Sequence, residues 1–558
     1  MRPERCDFLV AGSGIAGLVA ALTAQAEGLH PVIVEKADVW GGSTAISGGV
    51  LWVPCNPLMV AEGAQDDPDK ARAYLRDLLG EDNDRRSEAR TAAFIANAPE
   101  MVRFLGAAGM PWRRNREHPD YYQHVAGATV GRSIECAVGD GTQLGARFPT
   151  MRGNATALPA FSSSLSGSLI RAKTAREPFA TAAQVMAQNW FWRLAGRKPL
   201  GVGRALAGAL MKIVDSRGIS LLLRTQLTEL MLDSGTVIGA RLADDQGQFE
   251  LNAPAGVLLA TGGFAHNSIV RRQHQPVDGT YSIAIPEDQG DALRLAGACG
   301  AAADHMDSAW WMPAILMAPR QPTITLGERA LPGSIIVNAS ARRYMNESQC
   351  YMSAGQEMIA NGAAREPHWL VADDRFMRRY LHRAFRSEKQ REQLVAAGIL
   401  KRAPTLEQLA QQCELAPAQL AATIARFNGF AEKGRDEDFG RGDGLYDRYW
   451  ADPNNRPNPS LAPLTRAPFW ATRIFPGDLG VNGGLTTDSH ARVLHTDGSS
   501  ISGLYAAGNA TSAPFGRTYP GAGATIAAAA TFGYIAARHA ANSTMQQERA
   551  RRGASSAQ

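Results

Sequence analysis

The chain has 558 residues, a formal net charge of +5, 45% hydrophobic and 20% charged residues. That length exceeds one ordinary core and predicts two domains of a soluble globular protein; the short basic runs at 113–116 and near the C-terminus are solvated surface and point away from nucleic acid. No apolar run reaches the roughly 18 residues of a membrane span, six scattered cysteines and eleven scattered histidines lack metal-ligand spacing or disulfide density, and the start of the chain enters a strand with no signal-peptide pattern. The expectation is a cytoplasmic protein without metal, with loose membrane association left open.

The first elements carry the strongest pattern. Residues 7–12, DFLVAG, read as a buried strand, 15–28 as a helix ending at a glycine, and 30–36, HPVIVEK, as a second buried strand. Between strand and helix stand Gly12, Gly14 and Gly17 in G-x-G-x-x-G spacing. The first glycine permits the tight turn, the second lets backbone approach a pyrophosphate, and the third lets helix and strand pack closely. The helix N-terminus then offers N–H groups and positive potential to phosphate. Glu35 closes the second strand, where the ribose-binding acid of a dinucleotide fold belongs. Residues 41–49, GGSTAISGG, follow; their small side chains and hydroxyls suit a second backbone approach to a cofactor, which favours FAD over NAD.

Further along, 218–263 alternates short strands with turn signals such as DSG and DDQG and predicts a small antiparallel sheet inserted into the nucleotide domain. The strands in 256–267, GVLLATGGFAHN, and 501–511, ISGLYAAGNAT, each end in a glycine turn and are expected to return to the cofactor. The fold class is therefore α/β: a discontinuous Rossmann-like domain over 1–310 and 480–541, a second α+β substrate or catalytic domain over 311–479, and a polar, frayed tail over 542–558. Ligands favour clefts between domains. In 517–526, RTYPGAGATI, a tyrosine stands beside a Pro-Gly pair at the mouth of an alanine-rich helix.

Several long stretches carry a resemblance: 41–59, 119–135 (PDYYQHVAGATVGRSIE), 309–313 (AWWMP), 328–355, 438–463, 476–488 and 503–526. On these the chain resembles the 3-ketosteroid Δ1-dehydrogenases of the fumarate reductase-like flavoprotein superfamily. The resemblance implies FAD, a 3-ketosteroid substrate and dehydrogenation between C1 and C2 of the A ring; it makes a quinone a candidate electron acceptor, which the sequence does not fix. It implies that Tyr519 and the N–H of Gly523 hold the ketone oxygen, that Tyr351 removes the C2 proton, and that Tyr121 assists, with Tyr122 an open alternative. It assigns to the cofactor Gly12, Ser13, Gly14, Ala16, Gly17, Glu35, Lys36, Gly41, Gly42, Ser43, Thr44, Ser47, Gly49, Ala260, Thr261, Gly262, Asp291, Gly508, Asn509, Ala524 and Thr525. Trp310, Trp311, Met312 and Phe515 are candidates either for the apolar pocket wall or for core. The chain departs from the family pattern at 481–484, VNGG where TKGG is expected, and at 468–474, PFWATRI; both departures bear on the preferred steroid. A Δ4-dehydrogenase of 3-keto-5α-steroids and a fumarate reductase-like enzyme are the alternatives.

Overall fold

Strand Phe8–Ala11 is apolar throughout and buried along its whole length, as expected of a parallel strand covered on both faces. It pairs in parallel with Pro31–Val34 on one side and Gly256–Leu259 on the other. In this computed structural model, which describes residues 2–82, 84–153, 159–380, 384–385 and 387–555, the sheet runs Arg492–Leu494, Ser500–Ala506, Gly256–Leu259, Phe8–Ala11, Pro31–Val34, Ser220–Leu222. All neighbours are parallel except the outermost Arg492–Leu494. Two strands some 250 and 500 positions along the sequence thus meet the N-terminal strand, and the nucleotide unit is discontinuous.

Helix Ile15–Ala26 lies on the sheet and packs against the long helix Ala524–Ser555. Gly17 sits where a Cβ would lie 2.0 Å from the carbonyl oxygen of Gly12, so the close approach of helix and loop excludes any side chain. The long helix runs to Ser555, so the stretch from 542, expected to fray, continues as helix; its alanine-rich buried face upstream nucleates turns that the polar continuation extends.

The inserted antiparallel sheet consists of Gln226–Asp233, Thr236–Asp244 and Gly247–Asn252. Ser220–Leu222 does not belong to it, contrary to the sequence reading. It pairs in parallel with Val32–Val34 and places Leu221 in the core, because an apolar triplet gains more from the covered sheet than from an exposed meander.

A second sheet runs Gln321–Ile324, Ala309–Ala318, Phe469–Val481, His368–Ala372, Ser334–Val337, with Leu400–Ala403 also paired to Phe469–Val481. Helix Pro417–Lys433 covers it through Leu420, Ile424 and Phe427. Beneath lies a buried ionic cluster: the Glu347 carboxylate accepts from Arg343 Nε at 2.8 Å, Arg441 Nη1 at 3.2 Å and the N–H of Ile336 at 3.2 Å. A fully paired carboxylate of this kind fixes geometry rather than adding net stability. Four residues on, helix Tyr351–Ala360 begins, so the cluster sets where that helix starts.

Gly17→Ala is expected to cost about 3 kcal/mol, the upper range for overpacking. A lower urea midpoint at unchanged m-value checks it; an unchanged midpoint contradicts the close packing described.

Candidate active site

A cavity of about 670 Å³ joins the two units. One part is lined by Gly12, Ser13, Gly14, Ala16, Glu35, Lys36, Gly42, Ser43, Thr44, Ser47, Ala260, Thr261, Gly262, Asp291, Gly508 and Asn509. Of the residues expected at the cofactor, Gly17, Gly41, Gly49 and Ala524 do not reach the wall. Gly17 packs helix on loop, Gly41 adopts φ +108° ahead of the short helix Gly42–Ile46, Gly49 abuts the backbone of Val202, and Ala524 is a buried first residue of its helix. Segments 225–227 and 282–288 and Arg152 also line the cavity; they carry no motif and enter only through the crossing of distant loops.

Polar geometry here suits a dinucleotide. The Glu35 carboxylate accepts from the Ser13 N–H at 3.1 Å, the Ser13 hydroxyl at 2.7 Å and the Ala37 N–H at 3.1 Å, tying the glycine loop to the second strand. Thr44 Oγ1 accepts from the Ile15 N–H at 3.0 Å at the start of the first helix. Lys36 Nζ forms an ion pair with Asp291. Thr261 Oγ1, Glu287 Oε2 and both Asp288 oxygens are buried without a partner among the described residues. Burial lifts Asp288 to about 7, against the pull of Lys36. Such atoms call for a polar partner, and the hydroxyls and N–H groups of FAD fit them. The glycine loop, Ser43, Thr44 and Lys36 would hold the phosphates and sugar.

The same cavity is lined by Tyr121, Tyr351, Tyr519, Gly523 and Thr525. Three phenol rings meet there: ring centroids are 5.3 Å apart for Tyr121 and Tyr351, 5.1 Å for Tyr351 and Tyr519, and 5.7 Å for Tyr121 and Tyr519. Each is brought by a different element. Tyr351 opens helix Tyr351–Ala360. Tyr121 follows Asp120, whose carboxylate accepts from Arg132 at 2.7 Å and Trp52 Nε1 at 2.7 Å. Tyr519 lies on the loop before the long helix. That loop is pinned by Arg517, which pairs with Asp82 and Asp307, and by Gln356 Nε2, which donates to the Arg517 carbonyl at 2.9 Å. The Pro520 carbonyl accepts from the Tyr121 N–H at 3.0 Å and the Tyr74 hydroxyl at 2.7 Å.

Tyr122 turns away; its hydroxyl meets Ser353 Oγ at 3.3 Å and Cys350 Sγ at 3.8 Å. The Tyr519 hydroxyl lies 2.7 Å from Thr525 Oγ1. The N–H of Gly523 has no acceptor among the described residues. Gly523 has φ +86°, and a Cβ there would lie 1.9 Å from the Val50 carbonyl oxygen, so only glycine presents this N–H to the cavity.

Met312 lines the cavity, and Trp310 stands edge-on to Tyr519 at 5.2 Å. Trp311 and Phe515 do not line it: Trp311 packs on Gly355 and Phe515 on Trp52 and Phe94. The departures at 481–484 and 468–474 also stay behind the wall. Asn482 Nδ2 donates to the Gly516 carbonyl at 2.9 Å and to Ser308 Oγ at 3.3 Å, and Trp470 is buried in the second sheet. Neither departure lines the cavity; both lie in the packing behind it.

Burial pushes Tyr121 and Tyr351 well above the ordinary phenol range, and negative charge on any neighbouring phenol pushes further. Burial also raises Tyr519, against the Thr525 hydroxyl. His118, on the same wall, is lowered by burial to about 4; its Nδ1 lies 3.1 Å from the Pro119 carbonyl and must carry the proton, leaving Nε2 an acceptor. All are neutral at pH 7. The arrangement can grip a ketone oxygen with a hydroxyl and a backbone N–H, and can accept a proton on an adjacent phenol.

A dinucleotide sheet, a glycine loop facing unpartnered polar atoms and a cluster of buried phenols in the same cavity define a flavin-dependent oxidoreductase. The sequence profile of the FAD binding domain family matches residues 7–526. The 3-oxosteroid 1-dehydrogenase of Mycobacterium tuberculosis is 37% identical over 97% of this chain and 99% of its own. The 4-oxocyclohexanecarboxylate 2-dehydrogenase of Sinomonas cyclohexanicum is 33% identical over 95% and 92%. The crystal structure of 3-ketosteroid Δ1-dehydrogenase from Sterolibacterium denitrificans, in complex with 1,4-androstadiene-3,17-dione, superposes with a TM-score of 0.90 at 33% identity, covering 96% of this chain and 99% of that one. The chain belongs to the FAD binding domain family and, within it, to the 3-oxosteroid 1-dehydrogenases, and its cofactor is FAD.

Three predictions rest on this geometry. Tyr519→Phe removes one ketone donor and is expected to lower kcat by about 10²–10³, as loss of an oxyanion donor does; Thr525→Val removes only the donor behind it and is expected to cost about tenfold. Both should keep yellow, FAD-loaded protein, checked by absorbance. Because the base form of a tyrosine is the phenolate and burial raises Tyr351, kcat/KM is expected to climb from pH 7 to 9 by up to about tenfold per unit. A profile flat across that window contradicts a phenol base.

Proposed function

We propose that this chain dehydrogenates the A ring of 3-ketosteroids between C1 and C2. The observation that carries the reading is the convergence of Tyr121, Tyr351, Tyr519 and the unpartnered Gly523 N–H on the cavity that holds the glycine loop. The Tyr519 hydroxyl and Gly523 N–H donate to the ketone oxygen, with Thr525 donating to the Tyr519 oxygen in turn. Two donors on that oxygen stabilise negative charge spreading from C2, which acidifies the C2 hydrogen. Tyr351 takes that proton. Tyr121, against its ring, supplies the hydrogen-bonding partner that stabilises the phenolate form of Tyr351 that takes the proton, which leaves Tyr351 a neutral phenol. When bound, FAD supplies the acceptor for the hydride of C1.

Met312, Met317, Ile324 and Leu326 give the remaining wall an apolar character suited to a fused hydrocarbon ring system. The two curated relatives named above are both called dehydrogenases of cyclic ketones, which supports the ketone grip as the shared feature. The nucleotide unit is taken as 1–310 with 480–541 and the substrate unit as 311–479. Six free cysteines support a reducing, cytoplasmic compartment, and the family resemblance supports a quinone as acceptor.

Anaerobic mixing of the FAD-loaded protein with 4-androstene-3,17-dione should bleach the flavin and yield the 1,4-diene by chromatography. Tyr351→Phe should bind the steroid and leave the flavin yellow. No bleaching across a panel of 3-ketosteroids, or 4-ene formation from 5α-reduced substrates alone, would falsify the assignment.

A further inference from the structure

Asp288 is fixed by its backbone and left open at its side chain. Its N–H donates to the Ile285 carbonyl at 3.0 Å, and its carbonyl accepts from the His266 N–H at 2.9 Å. The residue is 1% exposed and lines the cavity beside Thr261 and Gly262. The carboxyl rests against the glycine turn after strand Gly256–Leu259, where a Cβ on Gly262 would lie 2.1 Å from Asp288 Oδ1. Yet neither of its oxygens has a hydrogen-bond partner among the described residues. A buried carboxylate without a single donor is costly, so this group either takes a proton or meets donors on a ligand.

The surrounding charges decide between the two. The cavity wall carries Lys36 and Arg152 against Glu35, Glu287, Asp291 and Asp288. Every acid but Asp288 is provided for. Glu35 accepts from Ser13 and Ala37, Asp291 pairs with Lys36, and Glu287 pairs with Arg152 at 2.9 Å. Lys36 Nζ is committed further, to the Glu287 carbonyl at 2.5 Å. Behind the wall, Asp478 accepts from Arg271 at 2.9 Å, Ser282 at 2.6 Å and the Gly480 N–H at 2.9 Å, and the His266 ring faces the Ala284 carbonyl at 3.0 Å. Burial lifts Asp288 to about 7; Lys36 and Arg152 pull it back, while Glu287 and Asp478 push it further. FAD then brings the negative charges of its pyrophosphate into the same cavity. A fourth ionised acid there would be repelled at low dielectric. A carboxyl that keeps its proton escapes this and gains what a carboxylate lacks, an O–H donor beside an acceptor oxygen.

We propose that Asp288 holds FAD as a neutral carboxylic acid, donating its O–H to an acceptor atom of the cofactor, so that FAD and one proton are bound together. The sign follows directly. At low pH the carboxyl already carries its proton and affinity is level; above neutrality each unit of pH weakens FAD binding by up to about tenfold. The test is dilution of the FAD-loaded protein into buffers from pH 6 to 8.5, with release read from recovered flavin fluorescence and the fold checked by far-UV circular dichroism. No steroid enters the measurement, so its outcome is separate from the identity of the ketone. Wild-type Kd should be level near pH 6 and climb above pH 7. Asp288→Asn keeps a donor and an acceptor without a titrating proton; its Kd should stay close to the wild-type value at pH 6 and remain level throughout. If that variant fails to fold, proton counting on the wild type decides: in weakly buffered solution at pH 8, about one proton should leave with each FAD released. A wild-type Kd that is level across the window, or that falls as pH rises, overturns the proposal, since FAD would then be donating to a carboxylate. So does a slope that persists in Asp288→Asn, or FAD release without a proton.

Discussion

One carbonyl oxygen organises the catalytic end of this protein. Pro520 O accepts from the Tyr121 N–H and from the Tyr74 hydroxyl, and so joins the loop carrying Tyr519 to the segment carrying Tyr121. These bonds hold together two loops separated by about 400 positions, alongside the ring contact of Tyr121 with Tyr519. Gly523 completes the arrangement three residues later, where the Val50 carbonyl leaves no room for a side chain. The phenol and backbone donors are thus preset before any substrate arrives, which is the condition under which hydrogen bonds to a developing oxyanion are most effective.

Low polarity around the phenols works in two directions. It strengthens every hydrogen bond to the ketone oxygen, yet it holds Tyr121 and Tyr351 protonated far above neutral pH. On the proposed mechanism, removing a C2 proton demands that the enolate side be stabilised as strongly as the phenolate is disfavoured, and the paired donors Tyr519 and Gly523, with Thr525 behind the former, would answer that demand. The flavin end follows a different logic, since Asp288, Glu287 and Thr261 present polar atoms that only a polar partner satisfies.

The glycine loop was legible from sequence because its backbone geometry excludes other residues: the spacing itself encodes the turn, the approach and the packing. Glu35 was legible for the same reason, although its carboxylate also ties down Ser13 and Ala37. The phenols became visible only through the family resemblance, since a lone tyrosine on a loop has no periodicity. Adjacent Tyr121 and Tyr122 face opposite surroundings, and no pattern in PDYYQ distinguishes them before the chain folds. Residues 282–288 reach the cavity by a crossing of distant loops, which leaves no trace in local composition. Ser220–Leu222 was misplaced because three apolar residues fit either sheet until the partner strand is known.

The hairpin Ala309–Ala318 with Gln321–Ile324 stands at the outer margin of the second sheet, and Met317, Gln321, Thr323 and Ile324 from it face the cavity. Gln321–Ile324, the margin strand, has one neighbour instead of two, so its side chains can be exchanged with little disturbance to the rest. Affinity for differently decorated rings can consequently diverge here across evolution or in the laboratory, while the chemistry at the ketone stays untouched.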